Sequence, residues 1–138
     1  MTTIAWDGFT LVGDTQCNAI IRRRVDKVFQ IKENLFFGGS GLYEDCLLVR
    51  TWLMHGGNKP ELDDNFSGLI IRDGTAFRIE QKLMESQIQE SHHAIGSGSP
   101  YAMMAMHLGK TAEESVKLAS IYDSDTNDQL TIFNCVTK

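Results

Sequence analysis

The first forty residues alternate as strands do. Thr2-Thr3-Ile4-Ala5-Trp6 is β-branched and aromatic, Asp7-Gly8 is a strong two-residue hairpin signal, and Phe9-Thr10-Leu11-Val12 predicts the returning strand. A third extended piece is expected over 17–21. Residues 25–31 place Val25, Lys27, Phe29 and Ile31 against Asp26, Val28 and Gln30, which predicts a strand with one wetter face. Lys32-Glu33-Asn34 reads as a turn, and Leu35-Phe36-Phe37 then enters the cluster Gly38-Gly39-Ser40-Gly41.

At Leu42 the period changes to that of a helix. Leu42, Cys46, Val49 and Leu53, with Leu47, Leu48 and Trp52, predict an apolar helix face that ends at Gly56-Gly57. A polar connection follows. Ser67-Gly68-Leu69-Ile70-Ile71-Arg72 and Thr75-Ala76-Phe77-Arg78-Ile79-Glu80 flank Asp73-Gly74, a second hairpin. After a weakly patterned stretch, 92–95 predicts a strand entering Gly96-Ser97-Gly98-Ser99. Pro100 suits the first turn of a helix that carries Tyr101, Met104, His107 and Leu108 and stops at Gly109. Thr111-Ala112-Glu113-Glu114 is a capping box opening another helix, with Val116, Leu118, Ala119 and Tyr122 available to the core. A closing strand is expected over 130–136. Hairpins with helices in two separate batches predict an α+β sheet sandwich flanked by helices, not a doubly wound parallel sheet.

Composition narrows the function. One domain spanning 1–138 is expected, and 42% hydrophobic with 22% charged residues excludes a disordered chain, a collagen and a coiled coil. A net charge of −5 argues against a nucleic-acid surface. The basic run Arg22-Arg23-Arg24, diluted by Asp26, reads as a solvated turn. No apolar run approaches the roughly 20 residues of a membrane span, and Asp7 and Gly8 interrupt any apolar core of a signal peptide, so a cytoplasmic protein is expected. The three cysteines, Cys17, Cys46 and Cys135, are too few and too scattered for a disulfide scaffold and read as small hydrophobes.

Most motifs are weak alone. Neither glycine run has a nucleotide-binding pattern, Ser40 and Ser97 do not form a nucleophile elbow, and adjacent His92 and His93 would point to opposite strand faces rather than share a metal. Met103, Met104 and Met106 read as core or interface. The start Met1-Thr2-Thr3 stands apart. Removal of Met1 would expose Thr2 as an N-terminal threonine, which carries both a nucleophilic hydroxyl and a base, its own α-amine.

Several short motifs in order then carry a resemblance. Met-Thr-Thr-Ile-Ala, Leu11-Val12-Gly13-Asp14, Val25-Asp26-Lys27-Val28, Gly41 leading into a helix with Asp45, and Ala94-Ile95-Gly96-Ser97-Gly98-Ser99-Pro100-Tyr101-Ala102 resemble the proteasome β-subunit and bacterial HslV peptidases, nearly end to end. The resemblance implies a four-layer αββα sandwich of the N-terminal-nucleophile hydrolases. It implies that Thr2 matches the nucleophile, Asp14 the buried acid, and Lys27 the lysine whose ammonium lowers the proton affinity of the amine. Gly41 matches the oxyanion donor, Ser97 the serine bonded to the α-amine, and Asp123 the aspartate after the last helix. Thr126 stands where the family usually has serine. Cys17, Val25, Gly39 and Tyr43 match positions lining the pocket for the residue before the scissile bond, with Tyr43 narrowing it and Gly39 opening it.

The same resemblance implies peptide-bond cleavage with no cofactor and no metal, homo-oligomeric rings or stacked rings, an unfolded or peptide substrate, and an ATPase unfoldase as partner. The chain departs from the family in length. Asp14 lies twelve positions after Thr2, shorter than the usual first hairpin, and 57–65 holds nine residues where a return helix would need roughly 14. One outer helical layer is therefore expected to be reduced, leaving apolar surface at the flank of the 42–55 helix among Trp52, Leu53 and Met54. A rival expectation is a non-catalytic, self-assembling structural or binding protein on the same fold, favoured by a retained Met1 and the missing helix. An amidase acting on a small molecule is a third. The polar set Thr2, Asp14, Lys27, Ser97 and Asp123 favours catalysis.

Overall fold

A computed structural model describes residues 2–17 and 23–136. The strands are β1 (Ile4–Trp6), β2 (Thr10–Asp14), β3 (Gln16–Cys17), β4 (Arg23–Arg24), β5 (Val28–Lys32), β6 (Leu35–Ser40), β7 (Ser67–Arg72), β8 (Thr75–Glu80), β9 (Ser86–Gln87), β10 (His93–Ile95) and β11 (Leu130–Asn134). The helices are α1 (Tyr43–His55), α2 (Ser99–His107) and α3 (Ala112–Tyr122). One sheet runs β10-β1-β2-β11 and the other β5-β6-β7-β8-β9, with β3-β4 as a small separate ribbon. Every described pairing is antiparallel.

The layers follow from strands that bury both faces. Along β1, Ile4 and Trp6 enter the core between the sheets while Ala5 turns to α2 and α3. Along β6, Phe36 enters the same inter-sheet core and Phe37 turns to α1; along β7, Leu69 and Ile71 do the first and Ile70 the second. A period of two with both sides apolar is the mark of a strand inside a sandwich. The order is thus α2 and α3, sheet, sheet, α1, an αββα sandwich with one helix on one outer face.

The elements differ from expectation mainly at their ends. Residues 25–27 are outside β5, because the Val25 N–H is given to the Thr15 carbonyl at 2.8 Å rather than to a sheet neighbour. The wetter face expected for this segment is present at Asp26 and Gln30, which are exposed, with Val28 the exception at 1% exposed because it packs into the core between the sheets. Arg23 and Arg24 form a short exposed strand instead of a turn. Arg22 and most of the extended piece expected over 17–21 lie outside the described residues. Asp73-Gly74 holds positive φ at both positions, 50° and 78°, as a two-residue hairpin turn with the right-handed strand twist requires. The capping box of α3 is formed, with Glu114 N–H donating to Thr111 Oγ1 at 3.1 Å and Thr111 N–H to Glu114 Oε1 at 3.0 Å.

On the α1 face, only Asp45, Cys46 and Val49 of the helix are buried. The connection after it contributes what a second helix would: Leu62 and Phe66 pack into the same cluster as Phe29 and Phe37. Asp45 accepts the Asp63 N–H at 2.9 Å, tying this connection over the start of α1. Trp52 and Leu53 pack against that core, so the uncovered flank is smaller than the missing helix suggests. The larger exposed apolar surface is on the other side, at Tyr101 and Met104 of α2, Leu108 just beyond it, and Ile121 and Tyr122 of α3. Among the described residues no helix is long and apolar enough to cross a membrane.

Candidate active site

Thr2 leads into β1, and its main chain lies against the loop 96–98. Gly98 N–H donates to the Thr2 carbonyl at 3.2 Å. Gly96 has φ +96°, and a Cβ there would collide with that same carbonyl. Glycine is required at 96 because backbone approaches backbone. Thr2 itself is 2% exposed.

Asp14 ends β2 with no exposed surface, and Lys27, 5% exposed, reaches it from the segment before β5. Lys27 Nζ donates to Asp14 Oδ1 and Oδ2, both at 3.1 Å. The carboxylate also accepts the backbone N–H groups of Thr3 at 2.9 Å, Gln16 at 3.2 Å and Asn127 at 3.4 Å. A buried charge is tolerable only when paired and hydrogen-bonded in this way. Burial pushes the Lys27 ammonium below its ordinary value of 10.5, while the charge and hydrogen bond of Asp14 oppose that shift. The Lys27 carbonyl accepts the Gly39 N–H at 2.9 Å, which fixes the lysine backbone beside β6.

On the other side of Thr2, its backbone nitrogen donates to Ser97 Oγ at 3.1 Å. Ser97 Oγ donates to Asp123 Oδ2 at 2.6 Å, and Thr126 Oγ1 donates to the same oxygen at 2.7 Å. Burial alone would raise the Asp123 carboxyl, but these two hydroxyls and the Asp125 N–H outweigh it and hold the group below its ordinary 3.8. A carboxylate that accepts several donors stays ionised.

Against Thr2 and Lys27 lies a cavity of about 230 Å³. Thr2, Lys27 and Gly41 line it, as do Cys17, Val25, Gly39 and Tyr43. Gly41, at φ +111°, immediately precedes Leu42, the N-cap residue of α1. Ser97, Asp123, Asp14 and Thr126 stand behind Thr2, Thr3 and Lys27 rather than in the cavity wall. Tyr43 carries Arg23 over its ring, 5.7 Å from guanidinium to ring centre. A Cβ at 39 would meet Cys46 Sγ at 2.6 Å, so the missing side chain makes room for the thiol.

Cys46 is therefore part of the wall and was not anticipated. Its spacing from Tyr43, three residues along α1, was the available signal, because such positions share a helix face. Burial and the neighbouring Asp45 push its thiol up to about 12, against the opposing pull of Lys27, so it is an uncharged surface and no thiolate nucleophile. Gln16, Leu42, Asp63 and Asn65 complete the lining, the last two brought in by the Asp45–Asp63 tie. Among the described residues, no group of three or more His, Cys, Asp or Glu is arranged to hold a metal ion.

No family model matches the sequence. No curated protein matches it either. Solved structures do match the fold. The BPH of Thiobacillus denitrificans aligns with a TM-score of 0.74 and 17% identity, covering 96% of this chain and 96% of that one in its complex with epoxomicin. A second structure of that BPH aligns at the same TM-score and identity, covering 96% of this chain and 95% of that one. HslV from Trypanosoma brucei aligns with a TM-score of 0.71 and 18% identity, covering 95% of this chain and 97% of that one. Full-length coverage by both, together with the αββα layers of the described residues, shows that this chain has the HslV and proteasome β-type fold.

Proposed function

We propose that this chain is a threonine-type peptidase whose nucleophile is Thr2, exposed by removal of Met1. The observation that carries the reading is one cavity whose wall includes Thr2, Lys27 and Gly41, with the Thr2 nitrogen bonded to Ser97 and through it to Asp123. Thr2 Oγ1 forms a bond to the scissile carbonyl carbon while its proton passes to the Thr2 α-amine. The carbonyl oxygen takes the negative charge and meets the Gly41 N–H, a contact worth roughly 3 kcal/mol in acyl transfer. The C–N bond then breaks, and the ammonium returns the proton to the leaving amine. Water, deprotonated by the same amine, next attacks the Thr2 ester; the C–Oγ1 bond breaks, the ammonium returns its proton to Thr2 Oγ1, and the acid is released. Lys27 holds positive charge near the amine and favours its neutral form. Cys17, Val25, Gly39, Tyr43 and the uncharged Cys46 thiol receive the side chain before the scissile bond.

The resemblance extends the proposal to a single 1–138 unit that assembles as a homo-oligomeric ring in the cytoplasm, fed by an ATPase unfoldase. The exposed Tyr101, Met104, Leu108, Ile121 and Tyr122 support assembly, since large apolar patches mark interfaces. Intact-mass measurement identifies the fraction lacking Met1. An epoxyketone is then expected to label the trimmed wild type at Thr2 and to leave Thr2→Ala unlabelled. Thr2→Ser should keep part of the turnover, because it retains hydroxyl and amine and loses only the rotamer-fixing methyl. A fully trimmed, folded wild type that neither labels nor cleaves any peptide would turn the reading to the non-catalytic assembly protein.

A further inference from the structure

Thr3 touches both arms of the site. It has no exposed surface. Its N–H donates to Asp14 Oδ1 at 2.9 Å, its carbonyl accepts the Asp14 N–H at 3.2 Å, and its Oγ1 lies 2.8 Å from Thr126 Oγ1. The direction of that last bond follows from counting protons. An ionised Asp123 can only accept. Thr126 Oγ1 has one proton and spends it on Asp123 Oδ2 at 2.7 Å, so toward Thr3 it accepts and Thr3 Oγ1 donates. Ser97 Oγ likewise has one proton. Its bond of 2.6 Å to Asp123 Oδ2 prevails over the 3.4 Å approach to the Thr2 carbonyl, and Ser97 then accepts from the Thr2 nitrogen. The chain of donors is Thr3 Oγ1 to Thr126 to Asp123, met from the other end by the Thr2 nitrogen to Ser97 to Asp123. It starts and ends on adjacent residues.

We infer that Thr3 is a positioning residue that sets the basicity of the Thr2 nitrogen through Thr126, Asp123 and Ser97. The inference rests on the proposed chemistry of Thr2. Hydrogen bonds in a chain polarise one another. A proton from Thr3 makes Thr126 a stronger donor to Asp123 Oδ2, and that oxygen then has less charge to offer Ser97. Ser97 is in turn a weaker acceptor, which disfavours the protonated form of the Thr2 amine. Without the Thr3 hydroxyl the sequence runs in reverse, and the amine holds its proton to higher pH.

The test is Thr3→Val, which keeps size, branching and the N–H to Asp14 and removes the hydroxyl. In fully trimmed protein carrying a ¹³C-labelled Thr2, the titration midpoint of the amine followed by NMR is expected to rise by about half a pH unit, a roughly threefold lower neutral fraction below the midpoint. Thr3→Ser should restore the wild-type midpoint. Thr3→Val with Thr126→Val should match Thr126→Val alone, because both cut the same chain. An unchanged midpoint in folded Thr3→Val, or shifts that add in the double variant, would overturn the inference. The titration is read without turnover, so a trimmed protein that cleaves nothing fails the proposed activity while leaving this coupling measurable. If turnover is present, Thr3→Val should lower kcat near the acid limb and leave KM unchanged.

Discussion

The two arms that meet at Thr2 are built from different materials. The Asp14–Lys27 arm is a buried ion pair carried on the end of β2 and the approach to β5, wrapped by backbone N–H groups. The Ser97–Asp123–Thr126 arm is made of hydroxyls and one carboxylate on two loops, with Ser97 exposed and Asp123 half-buried. The first arm belongs to the core and cannot fail without cost to the fold. The second stands at the rim and can be altered while the sandwich stays intact. The difference separates stability from chemistry: charge is kept where water is excluded, and proton-bearing hydroxyls where the chain can turn.

Removing one partner of the ion pair is the largest expected disruption. Lys27→Ala leaves Asp14 as a buried carboxylate without its cation, which costs about 3–5 kcal/mol and should abolish turnover as well. Thermal unfolding and a peptide assay, run on the same sample, read both losses. Ser97→Ala should part the two, lowering turnover by about one to two orders of magnitude, on the scale of general acid–base contributions, with an unfolding temperature near wild type. Equal losses of stability in the two variants would erase the contrast between the arms.

Smaller effects come from pH. Burial holds the Lys27 ammonium below 10.5 despite Asp14, so its charge is lost before that pH and the alkaline limb of activity should fall below 10.5. For Asp123 the sign is opposite in consequence. Its folded carboxyl lies below 3.8 because the donors from Ser97, Thr126 and Asp125 outweigh burial, so its contribution to stability is present above pH 3.8 and is lost as pH falls through the folded value. Melting temperatures of wild type and Asp123→Asn should therefore differ above pH 3.8 and converge as the pH falls through the folded value below it.

Local chemistry was legible in the sequence wherever the determinant sat within a few residues. The Asp73-Gly74 turn, the Thr111 capping box and the start of α2 at Ser99-Pro100 are set by neighbours, and each formed as the pattern predicts. The Val25-Asp26-Lys27 segment misled because alternation cannot tell a strand from a crossing segment whose N–H goes to Thr15. Val28 and Phe29 point to opposite faces of β5 and are both buried for a reason no single strand contains, the presence of a layer on each side.

Motif order along the chain singled out Thr2, Asp14, Lys27, Gly41, Ser97 and Asp123 as candidates, through resemblance to a family. Residue types and spacing thus determined which groups were available and which strands and turns would carry them. Only the tertiary structure decided that Ser97 meets a nitrogen 95 positions away and that Thr3 meets Thr126 across 123. It alone put Cys46 into the space left by Gly39 and gave Asp45 to the connection over α1. Hydrogen bonds and steric fit act over about 3 Å, a distance that positions along a chain do not measure.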